Sequence, residues 1–327
     1  MFSRYPEVNK ELELVEEYIK SSVRSRNRLL SDILSDLVEA GGKRLRPAFV
    51  ILSSRFGRYN GKKVIPAAAA VEILHTATLI HDDIIDCAKI RRGKPAVSDK
   101  YGTDMAVYAG DFMYTKAVLM LSGVVKSDKL DIMAKAIKTI CEGEVDQYRE
   151  RYNINISTLS YLKRIGRKTA VLFSSACALG AGIAHCPAHV RRTLARFGYY
   201  FGVAFQIRDD LNDILLDTNA TGKPVGKDIA EGVITLPVIL AIKRSDRIRS
   251  SLLEYFGNNT GFTMEEFRSF INEIKETGAI DVTISILNDY IGRGLEELGK
   301  LPDNSSKKVL RDMIVELGIC SRVNYLI

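Results

Sequence analysis

The chain has 327 residues, 46% of them hydrophobic, which is enough for a large core. Its formal net charge of +7, from 47 basic and 40 acidic residues, is small for this length. It permits an anionic ligand and gives no argument for nucleic acid. The five cysteines form no CxxC pair and are odd in number. That suits a reducing compartment and argues against both a disulfide framework and a structural zinc site.

The amino end, MFSRYPEVNKELELVEEYIK, carries early acids and no apolar run of leader type. No stretch is expected to supply the roughly 18 uncharged apolar residues of a spanning helix. The expectation is a cytoplasmic protein. Helical spacing dominates from there on. Residues 8–40 place Leu, Val and Ile three and four apart until Gly41-Gly42, which predicts one long helix. The next is expected from Pro47 to just before Gly57, and another from Pro66 toward Cys87, with Gly93 and Pro95 closing the region. Further helices are expected over 103–122, 128–151, 157–181, 187–217, 233–256, 263–276, 279–299 and 306–319. Strand alternation is scarce, and no repeat or interdomain linker stands out. The expected fold is an all-α bundle forming one domain over 1–327. Central segments such as TAVLFSSACALGAGIAH are apolar on more than one face, so other helices must surround them.

Two carboxylate clusters break this apolar pattern. In HDDIID, Asp82 and Asp86 lie four apart on one helix face, and Asp83 points about 100° away. In QIRDDLND, Asp209 and Asp213 repeat that spacing beside Asp210, with Gln206 one turn earlier. A lone DDxxD reads as a solvated acidic patch. Two of them, each in an otherwise apolar helix, argue for carboxylates that converge on cations. Mg²⁺ takes oxygen ligands and keeps waters beside phosphate, so it is the natural candidate. An EF-hand loop is excluded by its missing ligand pattern.

Basic segments accompany the acids. GGKRLRP gives Lys43, Arg44 and Arg46; KIRRGK gives Lys89, Arg91, Arg92 and Lys94; RKTA gives Arg167, Lys168 and Thr169; GKPVGKD gives Lys223, Lys227 and Asp228. Arginine forks and lysine charges beside metal-binding acids suit a polyphosphate. Arg44 and Lys94 fit the bland alternative of solvent-facing residues best. GGKRLRP lacks the spacing of a nucleotide phosphate loop. His81-Asp82 resembles a phosphohydrolase metal pair, without the further histidines that chemistry requires. His185, Cys186 and His189 form a weak zinc alternative. His75 lies two helical turns before Asp82 on its face, where a phosphate or a carboxylate can meet it.

Together these segments resemble the trans-type isoprenyl diphosphate synthase family. GGKRLRP resembles its first substrate-binding element, HDDIIDCAKIRRGKP its first aspartate-rich motif and QIRDDLNDILLD its second. GDF, GEVDQ and KTA stand where the family places them, and GKPVGKDIAEGVITLP resembles the loop that follows. The likeness covers residues 41–237. It is nearest to the catalytic component of bacterial hexaprenyl and heptaprenyl diphosphate synthases, some of which work with a small non-catalytic subunit in making the menaquinone side chain.

The resemblance implies a helical fold, a homodimer, and an enzyme that joins isopentenyl diphosphate to an allylic diphosphate primer. It implies that Asp82, Asp86, Asp209 and Asp213 serve three Mg²⁺ ions, with Asp83 and Asp210 in support. Arg91, Lys168 and Lys223 would hold the allylic diphosphate. Lys43, Arg46, His75 and Arg92 would hold isopentenyl diphosphate, and Thr169 and Gln206 would line the reacting end. Metal and fixed cations offset the charge that develops on departing diphosphate. Val233 stands where the family often has Lys, Asn212 where it has an apolar residue, and the end CSRVNYLI lacks a basic tail, all of which bear on site closure.

Product length is expected to depend on Ala77 and Thr78, five and four residues before Asp82, where short-chain members carry a blocking aromatic. Leu74, Ile73 and Ala70 would line the passage further down. Phe112, Met113, Met133 and Ile140 would floor it. That favours C30–C35 over C15–C20. Two other functions remain open at this stage: a terpene cyclase, and a non-catalytic subunit of a synthase. Retention of all six aspartates argues against the second. Product release implies transient contact with a membrane.

Overall fold

A computed structural model describes residues 2–125, 127–215, 226–257 and 264–318. Over these residues the chain is an all-α bundle whose only sheet is a two-stranded hairpin. A short 3₁₀ turn, Phe2–Arg4, precedes α1 (Pro6–Ser22) and α2 (Arg28–Glu39). The single helix expected over 8–40 is therefore two. Val23, buried at the end of the first helix, is followed by the polar run RSRN, and the Asn27 side chain accepts from the Leu30 N–H at 3.1 Å, starting a new helix. Gly41 (φ +63°) and Arg44 (φ +48°) then turn the chain into α3 (Leu45–Ser54), two residues ahead of Pro47.

α4 (Gly61–Ile85) begins at the Asn60 cap rather than at Pro66, which the helix carries in its interior. The hairpin pairs β1 (Ile90–Arg91) with β2 (Lys94–Pro95) across Arg92-Gly93, both at positive φ, as a two-residue turn requires. Then come α5 (Val97–Tyr101), α6 (Thr103–Ser122), α7 (Ser127–Glu150) and α8 (Thr158–Ile165). A π-helical turn, Gly166–Ala170, separates α8 from α9 (Val171–Ile183), so the helix expected over 157–181 is interrupted at RKTA. α10 (Ala188–Leu215) carries the second aspartate cluster. The expected 233–256 helix divides into α12 (Leu236–Ile242) and α13 (Asp246–Gly257), preceded by α11 (Lys227–Ala230). The polar KRS between them has nothing to bury, and Ser245 Oγ accepts from the Ile248 N–H at 3.3 Å. α14 (Met264–Glu276), α15 (Ala279–Gly299) and α16 (Ser305–Gly318) complete the chain close to their expected bounds.

α4 is long and apolar enough to cross a membrane by length and composition, although Glu72 interrupts its apolar run. It is instead packed against α1, α3, α6 and α9, and 67% of its most apolar window is buried. Its neighbours supply the apolar surround that a helix apolar on all sides needs. Beside it, Phe49 of α3, Phe173 of α9 and Phe201 of α10 pack ring against ring at 4.6–5.2 Å. Burying such rings stabilises the bundle by about 2–3 kcal/mol each. This cluster fixes α3, α9 and α10 relative to one another, and so sets the platform under the site.

Candidate active site

Two glycines let the π-turn lie between α7 and α10, the second of which carries an aspartate cluster. A Cβ on Gly202 of α10 would fall 2.5 Å from Ala170 Cα, and one on Gly143 of α7 would fall 3.0 Å from Lys168 N. The turn is thus wedged against both helices. Its consecutive residues reach opposite ways. Lys168 Nζ donates to Glu144 Oε2 of α7 at 2.8 Å, on the side of Asp82. Thr169 Oγ1 donates to Gln206 Oε1 of α10 at 2.8 Å. A π-turn in a functional region spaces side chains in ways an α-helix cannot.

The first cluster lies at the C-terminal end of α4. Burial pushes the Asp82 carboxyl up to about 7, and the nearby Glu144 and Asp86 add to this while Lys168 and Arg91 oppose it. Asp83 is buried and accepts from the Arg91 guanidinium, Nε lying 2.7 Å from Oδ1. Asp86 caps the helix and accepts from Arg151 Nη2 at 2.5 Å. Arg91, expected to serve a diphosphate directly, is in this state paired with Asp83, and Lys168 with Glu144.

The second cluster is held from within. Asp210 is buried, accepting from Tyr161 OH at 2.6 Å and from Gln206 Nε2 at 2.8 Å. Burial raises its carboxyl to about 7 despite those two donors. Asp209 is exposed, and Asp213 accepts from the Asp228 N–H at 3.4 Å. Burial, then Asp210, Asp213 and Asp209, push the Asp228 carboxyl well up. The segment after this cluster is tied to the first. Tyr152 N donates to Gly232 O at 2.8 Å, and Arg164 bridges Glu150 and the Ile234 carbonyl at 2.7 Å each.

A third group is basic. Arg46 stacks on the Phe173 ring with its guanidinium carbon 4.6 Å from the centroid, and burial pulls its pKa down to about 10. Burial, and then Arg46, Arg92, Arg91 and Arg44, push His75 well below its usual value, so it is neutral. Among the described residues no carboxylate bonds it, and the charges that act on it are those of arginines. Lys43 is exposed. Arg44 is not solvent-facing as expected. It pairs with Glu16 at 2.7 Å and with Glu72 at 2.8 Å. Lys94 is exposed, as expected.

Ile73, Leu74 and Ala77 are buried, and Thr78 Oγ1 donates to the His75 carbonyl at 2.8 Å. A cavity of about 10 Å³ lies where α4 and α6 meet α1 and α2, lined by Ile19, Leu37, Val38, Arg44, Glu72, Ile73, Thr76 and Met113. Met133 and Ile140 are buried and Phe112 is partly so. Cys186 Sγ lies 4.0 Å from the Ser53 carbonyl, and no His/Cys/Asp/Glu group poised for a metal includes it among the described residues. Lys223 and the 320–327 end lie outside the described residues. Val233 N donates to Asp228 O at 2.8 Å.

Sequence reasoning gave no role to Glu72, Arg151 or Tyr161, and named Glu144 only within GEVDQ and Asp228 only within GKPVGKD. Glu72, a lone acid in AAAAVEIL, was the one with a visible signal, because a charge in such a run needs a partner. The donors are all oxygen, and the carboxyls of Asp82, Asp210 and Asp228 are raised by burial, which suits a hard divalent cation. Among the described residues no three such groups converge on one point, so an ion here would draw further ligands from substrate and water.

The chain matches the Polyprenyl synthetase family profile over residues 27–274. It is 35% identical to heptaprenyl diphosphate synthase component 2 of Geobacillus stearothermophilus, over 96% of this chain and 97% of that protein. It is 37% identical to a geranylgeranyl diphosphate synthase of Methanosarcina mazei, over 84% of each. The crystal structure of heptaprenyl diphosphate synthase from Staphylococcus aureus superposes with a TM-score of 0.89 at 32% identity, over 95% of this chain and 98% of that one. The chain therefore belongs to the polyprenyl synthetase family, the trans-isoprenyl diphosphate synthases, and is a prenyltransferase of that class.

The raised carboxyls carry a sign that can be tested. A carboxyl at about 7 holds its proton in the native state where the unfolded chain has lost it, so stability falls as pH rises from about 4 to about 7. Asp82→Asn should therefore raise the melting temperature of metal-free protein more at pH 8 than at pH 5.5. Circular dichroism melts in chelator check this, and an equal gain at both pH values contradicts it.

Proposed function

We propose that this protein condenses isopentenyl diphosphate with an allylic diphosphate and makes an all-trans polyprenyl diphosphate of C30–C35, for a quinone side chain. The observation that supports the reading is the pair of aspartate clusters about the Lys168-Thr169 turn, where Thr169 bonds the Gln206 that holds Asp210, and Lys168, paired with Glu144, acts on Asp82 through space. Mg²⁺ fits the oxygen donors, and three ions held by Asp82, Asp86, Asp209 and Asp213 would neutralise the departing diphosphate. Arg91, Lys168 and Lys223 hold that diphosphate as its C–O bond to the allylic carbon breaks. Lys43, Arg46, Arg92 and His75 hold the second diphosphate so that its double bond attacks that carbon. The new C–C bond forms and a proton leaves for the released diphosphate. Gln206 and Thr169 brace Asp210 and line the reacting end. We take the domain to span 1–327 and the location to be cytoplasmic, with passing membrane contact at release of the apolar product.

Length is set along the seam of α4 and α6. Ala77 lies about 7.5 Å along the helix from Asp82 and leaves the way open. Ile73 and Met113, at the small cavity, mark its further course. The heptaprenyl-making relatives support C30–C35, and the geranylgeranyl-making one supports the shorter alternative.

Purified chain given isopentenyl diphosphate, farnesyl diphosphate and Mg²⁺ should give C30–C35 diphosphates by chromatography. Asp82→Ala and Asp209→Ala should lower the rate by at least about 10³-fold, and Ala77→Phe should shorten the product to C15–C20 with condensation intact. A cyclic hydrocarbon overturns the reading. So does no elongation, either alone or with the small component of a two-component heptaprenyl synthase. An unchanged product from Ala77→Phe overturns the account of length.

We also infer a homodimer. Tyr108 and Leu119 on α6, and Val145 and Tyr148 on α7, are each about 60% exposed or more (62%, 62%, 59% and 67%). They follow helical spacing and flank the exposed Cys141, and a second copy would cover them. Light scattering should give about twice the 36.4 kDa chain mass, and Leu119→Glu with Tyr148→Glu should halve it. A wild-type monomer at micromolar concentration contradicts this.

A further inference from the structure

α4 carries two buried acids eleven residues apart, Glu72 and Asp83, which a helix brings back to within about 20° of one face. Each holds one arginine of a basic segment. Asp83 takes Arg91 of the hairpin. Glu72 Oε1 accepts from Arg44 Nη1 at 2.8 Å, while Glu16 of α1 grips the far side of the same guanidinium at 2.7 and 3.0 Å. Arg44 has a left-handed backbone (φ +48°), a conformation uncommon outside glycine that needs an outside hold. The Glu16–Arg44–Glu72 bridge is such a hold, and it fixes how the chain enters α3.

The residues next to the bridge are the unpaired ones. Arg46 Nε is buried with no hydrogen-bond partner, and among the described residues neither Arg46 nor Arg92 donates to a carboxylate. Glu72 acts on both only through space. Arg92 lies over Gly42, where a Cβ would come within 2.9 Å of its Nη1, so the 41–46 segment is also the bed of Arg92. His75, one turn after Glu72 on α4, completes the nest.

We propose that Glu72 is a positioning residue. Through Arg44 it sets the 41–46 segment so that Arg46 and Arg92 remain free and aimed for the diphosphate of isopentenyl diphosphate. This rests on the proposed function, which places that substrate here. On this segment the paired Arg44 braces, and the unpaired Arg46 and Arg92 bind.

Charge and position predict opposite results. If Glu72 merely offset positive charge, Glu72→Gln would tighten the binding of an anion, and Arg44→Lys, which keeps the charge, would do nothing. If it positions, both should raise the KM for isopentenyl diphosphate roughly ten-fold, the loss of one charged hydrogen bond. The KM for the allylic primer should move less than about two-fold and kcat only slightly. Isothermal titration with isopentenyl diphosphate reads the same loss without turnover, so a wild type that binds but does not condense sinks the functional reading and not this one. Glu16→Gln, at the more exposed end of the bridge, should give a smaller loss in the same direction and covers the case in which Glu72→Gln does not fold. A lowered KM in Glu72→Gln, an unaffected Arg44→Lys, or equal loss for both substrates overturns the proposal.

Discussion

Carboxylates taken out of water repel one another and resist ionisation, and the site is organised around that constraint. Burial raises Asp82 and Asp210 to about 7. Among the described residues neither is relieved by a single tight ion pair. Asp82 feels Lys168 and Arg91 at a distance, and Asp210 is held by a phenol and an amide. Neutral donors orient a carboxylate without cancelling its charge. Such a group is left in need of a cation, which is the state a metal-dependent enzyme requires before substrate arrives.

The rest of the site distributes cations around that need. Neighbouring acids are matched by arginine in the metal-free protein: Asp83 by Arg91, Asp86 by Arg151, Glu150 by Arg164. Buried pairs of this kind contribute little net stability over an apolar core, yet breaking one leaves a costly lone charge. They act as fixed points. The end of α7 shows it best, since Glu150, Arg151 and Tyr152 in sequence reach the segment after the second cluster, the first cluster and Gly232. The first cluster and the segment after the second are thereby both tied to the end of α7.

The helices and both acid clusters were legible because their signals are local. Period-3.6 apolar spacing marks α6, α10 and α15, and DDxxD marks a charged face at i and i+4. The split at 23–27 was missed because Val23 keeps the apolar period going while Asn27 caps a new helix. The π-turn was missed because it depends on Gly143 and Gly202, distant in sequence, admitting close approach. Arg44 looked solvent-facing for the same kind of reason: its partners, Glu16 and Glu72, are each 28 residues away on different helices. Tyr161 gave no signal, since a tyrosine in an amphipathic helix reads as core until Asp210 is placed against its hydroxyl.

The central claim is that α4 and α10 share one metal-bridged diphosphate. Crystals grown with Mn²⁺ and pyrophosphate, with anomalous scattering recorded at the manganese edge, test it most directly. The account predicts manganese peaks contacting Asp82 and Asp86 on one side and Asp209 on the other, with the same pyrophosphate between them. Peaks confined to one cluster, or pyrophosphate bound away from both, would contradict it.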